Sequence, residues 1–313
     1  MHSFFLFLLI YPALLLWGAD YDCLFIGTSP ICVLEAVAQH YAGKRVLLLD
    51  EADDLGGAWR TIDICGVMHA DVGCHQIGHD PAMRDFLEQY VGCPMVHMDR
   101  PLEHYDPGKL HPNGLYFAEG CHGLVHGLKE MLARTEVQVL LEHHVDAVQI
   151  EGNEAVVQCG SEKFTTSKVF VPTYWSLDAN SGGTKFYHLY MLIHDPEMFR
   201  FTYQGGGGNR FSRVMNLTPF AGLMGSGRQL LIFQTHGEQA LQEGQMLLDD
   251  LKKKQLVSMG AYILQQAPYI YEQKRNGTIS AQQRPFFEQI DTSHFSAMSG
   301  RIAKWKQVIP KLD

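Results

Sequence analysis

Near the amino terminus, alternating apolar and polar stretches predict a strand, a helix and a second strand. An apolar run at residues 23–26 breaks at Gly27, and apolar positions at helical spacing follow over residues 33–41. A second apolar run, 45–49, ends at Asp50. Strand, tight turn, helix, strand and acid form the opening of a dinucleotide-binding fold, although any parallel βαβ unit gives a similar pattern.

The turn and the acid carry the chemistry of that opening. Asp50 follows Gly27 by roughly 20 residues, the spacing at which a carboxylate reaches the adenosine ribose hydroxyls. The phosphate-binding turn G-x-G-x-x-G reads Gly-Thr-Ser-Pro-Ile-Cys here, so only Gly27 is kept. Ser29 and Cys32 stand where the second and third glycines allow close approach to the pyrophosphate and close helix packing.

Later patterns divide the rest of the chain. A helix over 123–134 precedes four apolar runs at 137–141, 145–150, 155–159 and 168–173, which predict a β-meander and a returning strand. From residue 181 onward, the pattern of apolar residues predicts buried strands and a helix over 239–259. The four glycines at 205–208 favour a flexible hairpin, because no Lys-Ser/Thr pair follows them.

In the segment DEADDLGGAWRT, a glycine pair follows the acid, and this spacing is similar to that of a known protein superfamily. The pattern of a strand, an acid, five residues and Gly-Gly resembles that of the superfamily of flavin-dependent amine oxidases, protoporphyrinogen oxidases and UDP-galactopyranose mutases. The resemblance implies that Asp50 holds the ribose and that Gly56 and Gly57 lie beside the diphosphate and flavin of FAD. Arg60, just beyond them, joins the predicted cofactor-binding residues.

Three further phrases are similar to that superfamily. Asp71, Gly73, His75 and Ile77 match a D-x-G-x-H-x-I phrase near the isoalloxazine, so the resemblance implies that His75 faces the flavin. A polar loop with His69 and His79, or a buried core histidine, is the alternative. Val145 falls where a strand valine contacts adenine through its backbone, and the closing strand phrase falls on residues 168–173.

The carboxyl-terminal half resembles the superfamily in two shorter phrases. Arg210 or Arg213 matches an R-x-S-N/D-L segment and implies an acidic substrate group; a surface or inter-strand arginine is the alternative. Gly300 and Arg301 match a turn that returns the chain to the flavin. In the family a last helix then points at the flavin, and we expect the chain to stop at Asp313 before that helix forms.

The predicted fold class is α/β, with a Rossmann-like FAD-binding domain that carries a β-meander, plus a smaller α+β substrate domain. The FAD-binding domain comprises residues 20–80, 114–180 and 285–313, and the substrate domain comprises 81–113 and 181–284. At 313 residues the chain accommodates both.

The composition of the chain limits the partners, metal sites and cellular location that it can have. A net charge of −9 argues against a nucleic-acid partner. Seven cysteines without C-x-x-C spacing predict neither a disulfide framework nor a zinc module, and the histidine spacings predict no metal site. Residues 1–19 precede the fold, and 4–17 are uncharged and apolar. A signal peptide is predicted, which implies a secreted or periplasmic protein; an uncleaved membrane anchor, or a mis-assigned start of a cytoplasmic protein, is the alternative.

The functional expectation follows from the resemblance. It implies an FAD-dependent oxidoreductase that transfers hydride from a small-molecule substrate, such as an amine, to the flavin. Two alternatives stay open. One is a mutase-like flavoenzyme without net redox change. The other is a non-catalytic binding protein like the Rab GDP-dissociation inhibitors, which the degenerate turn and the expected lack of a last helix favour.

Overall fold

The computed structural model describes residues 19–73, 75, 77, 80–97, 115–173, 183–196, 202–204, 210–273, 279, 283–292 and 295–312. Except for Ala19, the predicted signal peptide or anchor lies outside these residues, as do His79 and the four-glycine run. In the described part of the chain, no helix is long and apolar enough to span a membrane.

The elements follow in chain order. The first part contains β1 (Cys23–Ile26), α1 (Pro30–Tyr41), β2 (Val46–Leu49), β3 (Thr61–Ile64), β4 (Val67–Asp71), α2 (Pro81–Phe86), β5 (Met95–His97), β6 (Leu115–Phe117), α3 (Gly120–Leu132) and β7 (Gln138–Leu140). The second part contains β8 (Ala147–Glu151), β9 (Glu154–Cys159), β10 (Glu162–Thr166), β11 (Val169–Pro172), β12 (Thr184–His194), β13 (Thr202–Gln204), β14 (Phe211–Asn216), β15 (Arg228–Thr235), α4 (Gly244–Lys253), β16 (Tyr262–Gln273), β17 (Phe287–Ile290) and α5 (Ser299–Val308).

The first sheet is parallel and has the order β17-β11-β1-β2-β7. All residues of β1 and β2 are buried, as expected for strands covered on both faces. Helix α1 packs against α3 and α5 on one face. Since the strand order reverses direction around β1, the carboxyl ends of β1 and its neighbours form the crevice where such folds bind ligands.

The opposite face of this sheet carries the antiparallel meander β8-β9-β10. Leu24 and Leu47 of the parallel sheet pack in one cluster with Val148 and Val157 of the meander. The predicted α/β class with a Rossmann-like domain is thereby confirmed. The meander strands β8 and β9 lie at the predicted runs 145–150 and 155–159, whereas its third strand, β10, was not predicted.

The second sheet is antiparallel and has the order β13-β14-β15-β12-β16. Alternate residues of its central strands face opposite sides. Leu189 and Phe233 pack with Leu248 of α4, whereas Tyr190 and Ile232 belong to the main core shared with the parallel sheet. The helix predicted over 239–259 is shorter: a 3-10 turn at Glu238–Gln242 precedes α4.

The carboxyl-terminal segment differs from its prediction. Residues 299–308 form α5, not a turn, and α5 follows β17 of the parallel sheet. Ile302 and Trp305 are buried against the rest of the molecule, and α5 contacts α1 and α2. The predicted turn was therefore wrong, because a helix occupies its place, and residues 309–312 after α5 form no further helix. Helix α2, assigned to the substrate domain, packs against α5 of the nucleotide-binding layer.

Candidate functional site

The carboxylate of Asp50 points into the turn after β1. Its Oδ2 accepts hydrogen bonds from the backbone N–H of Thr28 at 2.7 Å and from the Thr28 hydroxyl at 2.6 Å. Its Oδ1 accepts from the backbone N–H of Ala52 at 2.9 Å. Three donors thus fix the carboxylate at the carboxyl edge of the sheet, and Oδ1, which accepts only one of these hydrogen bonds, keeps acceptor capacity for a ribose hydroxyl.

The start of α1 is built differently from a glycine-rich turn. Ser29 caps the helix, and its Oγ accepts from the Cys32 N–H at 3.4 Å. Pro30 occupies the first helical position and supplies no N–H for a phosphate. The Cys32 side chain is fully buried in the main core, and burial raises the pKa of its thiol to about 12. Cys32 therefore acts as a packing residue and leaves the surface of the turn to Ser29.

The glycine pair folds over this turn. The N–H of Gly56 donates to the carbonyl of Thr28 at 3.0 Å. Gly56 has φ +107°, and a Cβ there would lie 2.9 Å from Cγ2 of Val125. A Cβ on Gly57 would lie 3.7 Å from the Ser29 backbone. The structure therefore brings together the acid, the turn and the glycine pair that the sequence singled out.

Val145 lies beside the same edge. It precedes β8 and is buried in the cluster that contains Ile26 and Leu49. Two residues earlier, the N–H of His143 donates to the carbonyl of Asp50 at 2.8 Å. The segment predicted to contact adenine through its backbone thus runs next to the residue predicted to bind ribose.

An aromatic cluster follows the glycine pair. The Trp59 ring stacks on His75, with centroids 4.1 Å apart and planes 19° apart, and Phe295 approaches Trp59 at 4.5 Å. Nε2 of His75 lies 2.7 Å from the carbonyl oxygen of Ala58. Burial lowers the pKa of His75 to about 4, so the ring is neutral near pH 7. The structure places His75 beside the glycine loop; that it faces a flavin stays a prediction.

One row of side chains crosses the second sheet opposite this loop. Residues paired across antiparallel strands share a face, and Arg213, Gln234, His188 and Tyr269 are paired in that order from β14 to β16. The neighbouring row on the same face includes Tyr190. We call the four residues Arg213, Gln234, His188 and Tyr269 the polar row.

Arg60 connects the glycine loop to the polar row. Its Nη2 donates to the Tyr269 hydroxyl at 3.0 Å, so the predicted cofactor-binding arginine reaches the second sheet. Nε of Arg60 and Nδ1 of His188 are buried, and no described residue supplies either with a hydrogen-bond partner. A buried donor or acceptor left in this way costs about 1–3 kcal/mol. Burial lowers the pKa of His188 to about 4.

Asp71 fixes the loop that carries His75. It is buried, accepts from the Tyr116 hydroxyl at 2.5 Å and accepts from the Cys121 N–H, at the start of α3, at 2.8 Å. Burial raises the pKa of Asp71 to about 6, although these hydrogen bonds act in the opposite direction. The Tyr190 hydroxyl donates to the carbonyl of Asp71 at 2.6 Å and accepts from the N–H of Gly73 at 3.4 Å.

Arg210 and Arg301, which the sequence predicted at the site, lie away from the Asp50 crossover and the polar row. Arg210 forms ion pairs with Glu243 at 3.0 Å and Asp250 at 3.3 Å, on the α4 side of the second sheet. Of the two substrate candidates, only Arg213 lies in the polar row. Arg301 lies in the first turn of α5 and pairs with Glu35 of α1 at 2.9 Å, and Gly300 lies in that turn too. The family turn assigned to Gly300 and Arg301 is therefore a helix here.

Glu35 was missed by sequence reasoning. It is fully buried, and it accepts from Lys304 at 2.8 Å, from Trp305 Nε1 at 2.9 Å and from Gln39 at 3.0 Å, besides Arg301. Burial alone would raise its pKa, but these donors outweigh that effect and lower the pKa to about 2. The network joins α1 to α5 and is structural.

Other missed residues left a weak signal in the sequence. Trp59 is the second residue after the glycine pair, and His188 and Tyr190 lie on the same face of one strand. Nothing in the pattern shows which face of that strand meets the loop. Among the described residues, no group of three or more His, Cys, Asp and Glu side chains is arranged to hold a metal ion.

Comparisons with known proteins fit this geometry. A family model described as an NAD(P)-binding Rossmann-like domain matches residues 29–90. A search by sequence gives no significant match to a curated protein. An oxidoreductase from Methanosarcina mazei has TM-score 0.60 at 12% identity and covers 87% of this chain and 95% of its own. A protein from Exiguobacterium sp. 255-15, named as a protoporphyrinogen oxidase, has TM-score 0.60 at 11% identity, with coverages of 93% and 98%.

Two other solved structures bear on the alternatives. A Rab GDI from Plasmodium falciparum has TM-score 0.59 at 11% identity and covers 95% of this chain and 100% of its own. A mutant of halogenase PltM in complex with FAD has TM-score 0.52 at 8% identity, with coverages of 92% and 68%. Likeness at such identities concerns the fold. Residues 29–90 are similar to NAD(P)-binding Rossmann-like domains, and the chain shares its overall fold with these oxidoreductases, the FAD-binding halogenase and the Rab GDI.

Proposed function

We propose that the chain is an FAD-dependent oxidoreductase of the protoporphyrinogen oxidase and amine oxidase type, which transfers hydride from a small-molecule substrate to the flavin. The observation that carries the proposal is the arrangement at the first crossover. The carboxylate of Asp50 is fixed on the turn after β1, and Gly56 and Gly57 lie over that same turn.

The residues present fit the cofactor. Oδ1 of Asp50 offers an acceptor to the ribose, and the backbone beside Val145 offers contacts to adenine. Gly27, Ser29 and Gly57 are half-buried, so their backbone is partly exposed where it would lie beside a bound diphosphate. FAD would supply the hydride-accepting chemistry. The chain itself orients the substrate through the polar row and presents a neutral His75 at the glycine loop.

A non-catalytic binding protein is the second candidate, and a specific observation favours it. Ser29 and Cys32 replace two glycines of the turn, and Pro30 removes a backbone donor at the helix start. The likeness to a Rab GDI supports the same reading. The helix α5, which follows β17 of the parallel sheet, weakens the other argument for a non-catalytic chain, because a helix lies where the sequence predicted only a turn.

A visible spectrum of the purified full chain separates the two candidates. We expect flavin absorption, either after mild purification or after adding FAD and removing the excess. Asp50→Asn places an amide where two Thr28 donors need an acceptor, so FAD binding weakens by about 10- to 100-fold. Asp63→Asn is the matched control, since Asp63 is exposed and accepts only from the His69 N–H among the contacts described.

The results exclude one candidate or the other. A chain that stays colourless with excess FAD refutes the oxidoreductase and favours the binding protein. Equal FAD affinity in wild type and Asp50→Asn would show that the crossover is not the cofactor site. In a yellow protein, peroxide release on adding amines separates an oxidase from a mutase-like flavoenzyme.

A further inference from the structure

A cavity of about 360 Å³ lies beside the carboxyl-terminal end of α1. We call it the α1-end pocket, and its lining consists of Val37, Tyr41, Tyr90, Met131, Arg134 and residues 309–312. Ser29 caps the opposite end of α1 at the Asp50 crossover, and 12 helical residues span about 18 Å. The α1-end pocket is therefore separate from the proposed FAD site. Sites for small molecules have volumes of roughly 300–1,000 Å³, a range that includes this cavity.

The buried part of the lining is aliphatic and aromatic. Val37 of α1, Met131 of α3 and Ile309 after α5 are each at most 4% exposed. Tyr90, on the π-helical turn Leu87–Val91 that follows α2, is 6% exposed. A ligand with an apolar ring system would bury its surface against these side chains, which favours binding through the hydrophobic effect.

The carboxyl-terminal segment forms one wall of the pocket, and hydrogen bonds hold it in place. The N–H of Leu312 donates to the carbonyl of Gln89 at 3.0 Å. Nζ of Lys311 donates to Oε1 of Gln89 at 2.9 Å and lies 5.7 Å from the centre of the Tyr90 ring. Because this wall is already fixed, a ligand does not have to order it on binding.

The exposed part of the lining is positively charged. Arg134, just after α3, and Lys311 are both exposed. Among the described residues, no Asp or Glu lines the pocket, and no carboxylate forms an ion pair with either cation. The chain as a whole has a net charge of −9. Two uncompensated cations beside an apolar surface therefore favour a ligand with an anionic group.

Helix dipoles act in the opposite direction. The helices α1, α3 and α5 all end at the pocket, and each end carries about −0.5 charge. The N–H groups of Ala42, Thr135 and Ile309, which follow these helices, donate to carbonyls of the last turns at 2.8–3.0 Å. Three partial charges that are already hydrogen-bonded are outweighed by the two full charges of Arg134 and Lys311.

We propose that the α1-end pocket binds a small molecule with an apolar ring system and one anionic group. The rings lie against Val37, Met131 and Ile309, and the anionic group lies at the exposed side, where Arg134 and Lys311 attract it. Lys311 keeps N–H donors beyond the one that Gln89 accepts. The proposal does not rest on the proposed function, because the pocket lies at the other end of α1 from the crossover.

Three probes with the same ring system and different charges test the proposal. Naphthoate is an anion, naphthamide is neutral, and naphthylmethylamine is a cation at pH 7. Isothermal titration calorimetry on the full chain, as purified and after loading with FAD, measures their affinities. We expect naphthoate to bind at least about 10-fold more tightly than naphthamide, and naphthylmethylamine to bind most weakly. Loading with FAD should leave these affinities unchanged.

Variants of the two cations locate the binding. Arg134→Gln and Lys311→Gln should each weaken naphthoate binding by about 3- to 10-fold and leave naphthamide binding nearly unchanged. Lys163→Gln is the matched control, because it removes the same charge from an exposed residue of the meander, on the other face of the parallel sheet. Thermal unfolding checks each variant, and Arg134→Gln carries the test if Lys311→Gln loosens the carboxyl-terminal segment.

NMR of the wild-type chain gives an independent readout. The methyl signal of Met131, assigned with Met131→Leu, should shift when naphthoate binds, because the naphthalene ring current acts on a methyl group in the lining. Several results would overturn the proposal: no binding of naphthoate, equal or tighter binding of the neutral or cationic probe, unchanged naphthoate affinity in folded Arg134→Gln, or a Met131 signal that does not move. None of them bears on whether the crossover holds FAD.

Discussion

Replacement of Glu35 by glutamine tests the network that joins α1 to α5. Four donors converge on its carboxylate: Arg301 and Trp305 on Oε2, and Lys304 and Gln39 on Oε1. Glutamine keeps the shape but offers one acceptor oxygen and turns an NH2 group toward the other pair of donors. It also removes the countercharge of Arg301 and Lys304.

The size of the effect follows from the protonation equilibrium of Glu35. Glutamine resembles the protonated carboxyl, so the preference of the folded site for the charged form estimates the loss. The pKa falls from 4.5 to about 2, and each pKa unit corresponds to about 1.4 kcal/mol. Glu35→Gln should therefore lower the free energy of unfolding by about 3 kcal/mol at pH 7. For 313 residues this is a decrease in melting temperature of about 4–5 °C.

The pH dependence has a definite sign. A lowered folded-state pKa contributes stability that is complete above pH 4.5 and is lost as the pH falls toward 2. The difference in unfolding free energy between wild type and Glu35→Gln should shrink to about 1.5 kcal/mol at pH 3. Urea unfolding at pH 7, 5 and 3 measures it. Glu162→Gln, at an exposed pair with His143, is the control and should change stability by less than about 0.5 kcal/mol.

Two results would refute this reasoning. A difference of less than about 1 kcal/mol at pH 7 would mean that the desolvation of Glu35 cancels its hydrogen bonds, as happens in some buried ion pairs. A difference that stays constant from pH 7 to pH 3 would mean that Glu35 is not held in its charged form by the folded protein.

Two further predictions concern the site itself. Gly56→Ala should destabilise the protein by about 2 kcal/mol or more, since φ +107° strains an alanine and its Cβ would meet Val125, whereas Gly152→Ala, at φ +62° with open space, should cost about 1 kcal/mol. Both are measured by urea unfolding, and equal costs would contradict the packing argument. NMR of the histidine Cε1–H signals should show His75 and His188 neutral from pH 8 to 5.5, because burial lowers both pKa values to about 4. A midpoint near 6.5 for either ring would contradict its burial.

The first crossover could be predicted from sequence because its determinants are local. Apolar runs fix β1 and β2, and the number of residues from Gly27 to Asp50 is set by one helix and one strand, α1 and β2. The same holds for the meander, whose turns are marked by glycine. At α5 the prediction failed, because a short phrase around Gly300 was matched to a turn although Ile302 and Trp305 stand at helical spacing and are buried.

The polar row could not be predicted, since it depends on how distant strands pair. His188, Gln234 and Tyr269 are far apart in sequence, and a register shift of one residue would turn each to the other face. The same reason explains Arg210 and Arg213. They are three residues apart, and a bulge lies between Phe211 and Arg213. Only the pairing shows that Arg210 reaches α4 while Arg213 joins the row.

The Tyr190 hydroxyl has a mechanical consequence. This hydroxyl, on β12, hydrogen-bonds to the backbone of Asp71 and of Gly73, the residues on either side of Val72. The segment that leads from β4 to His75 is therefore attached to β12. A hinge motion of the second sheet would therefore move His75 together with His188, and both would change position relative to the Asp50 crossover. Opening and closing of the crevice would thus move two imidazoles as one body.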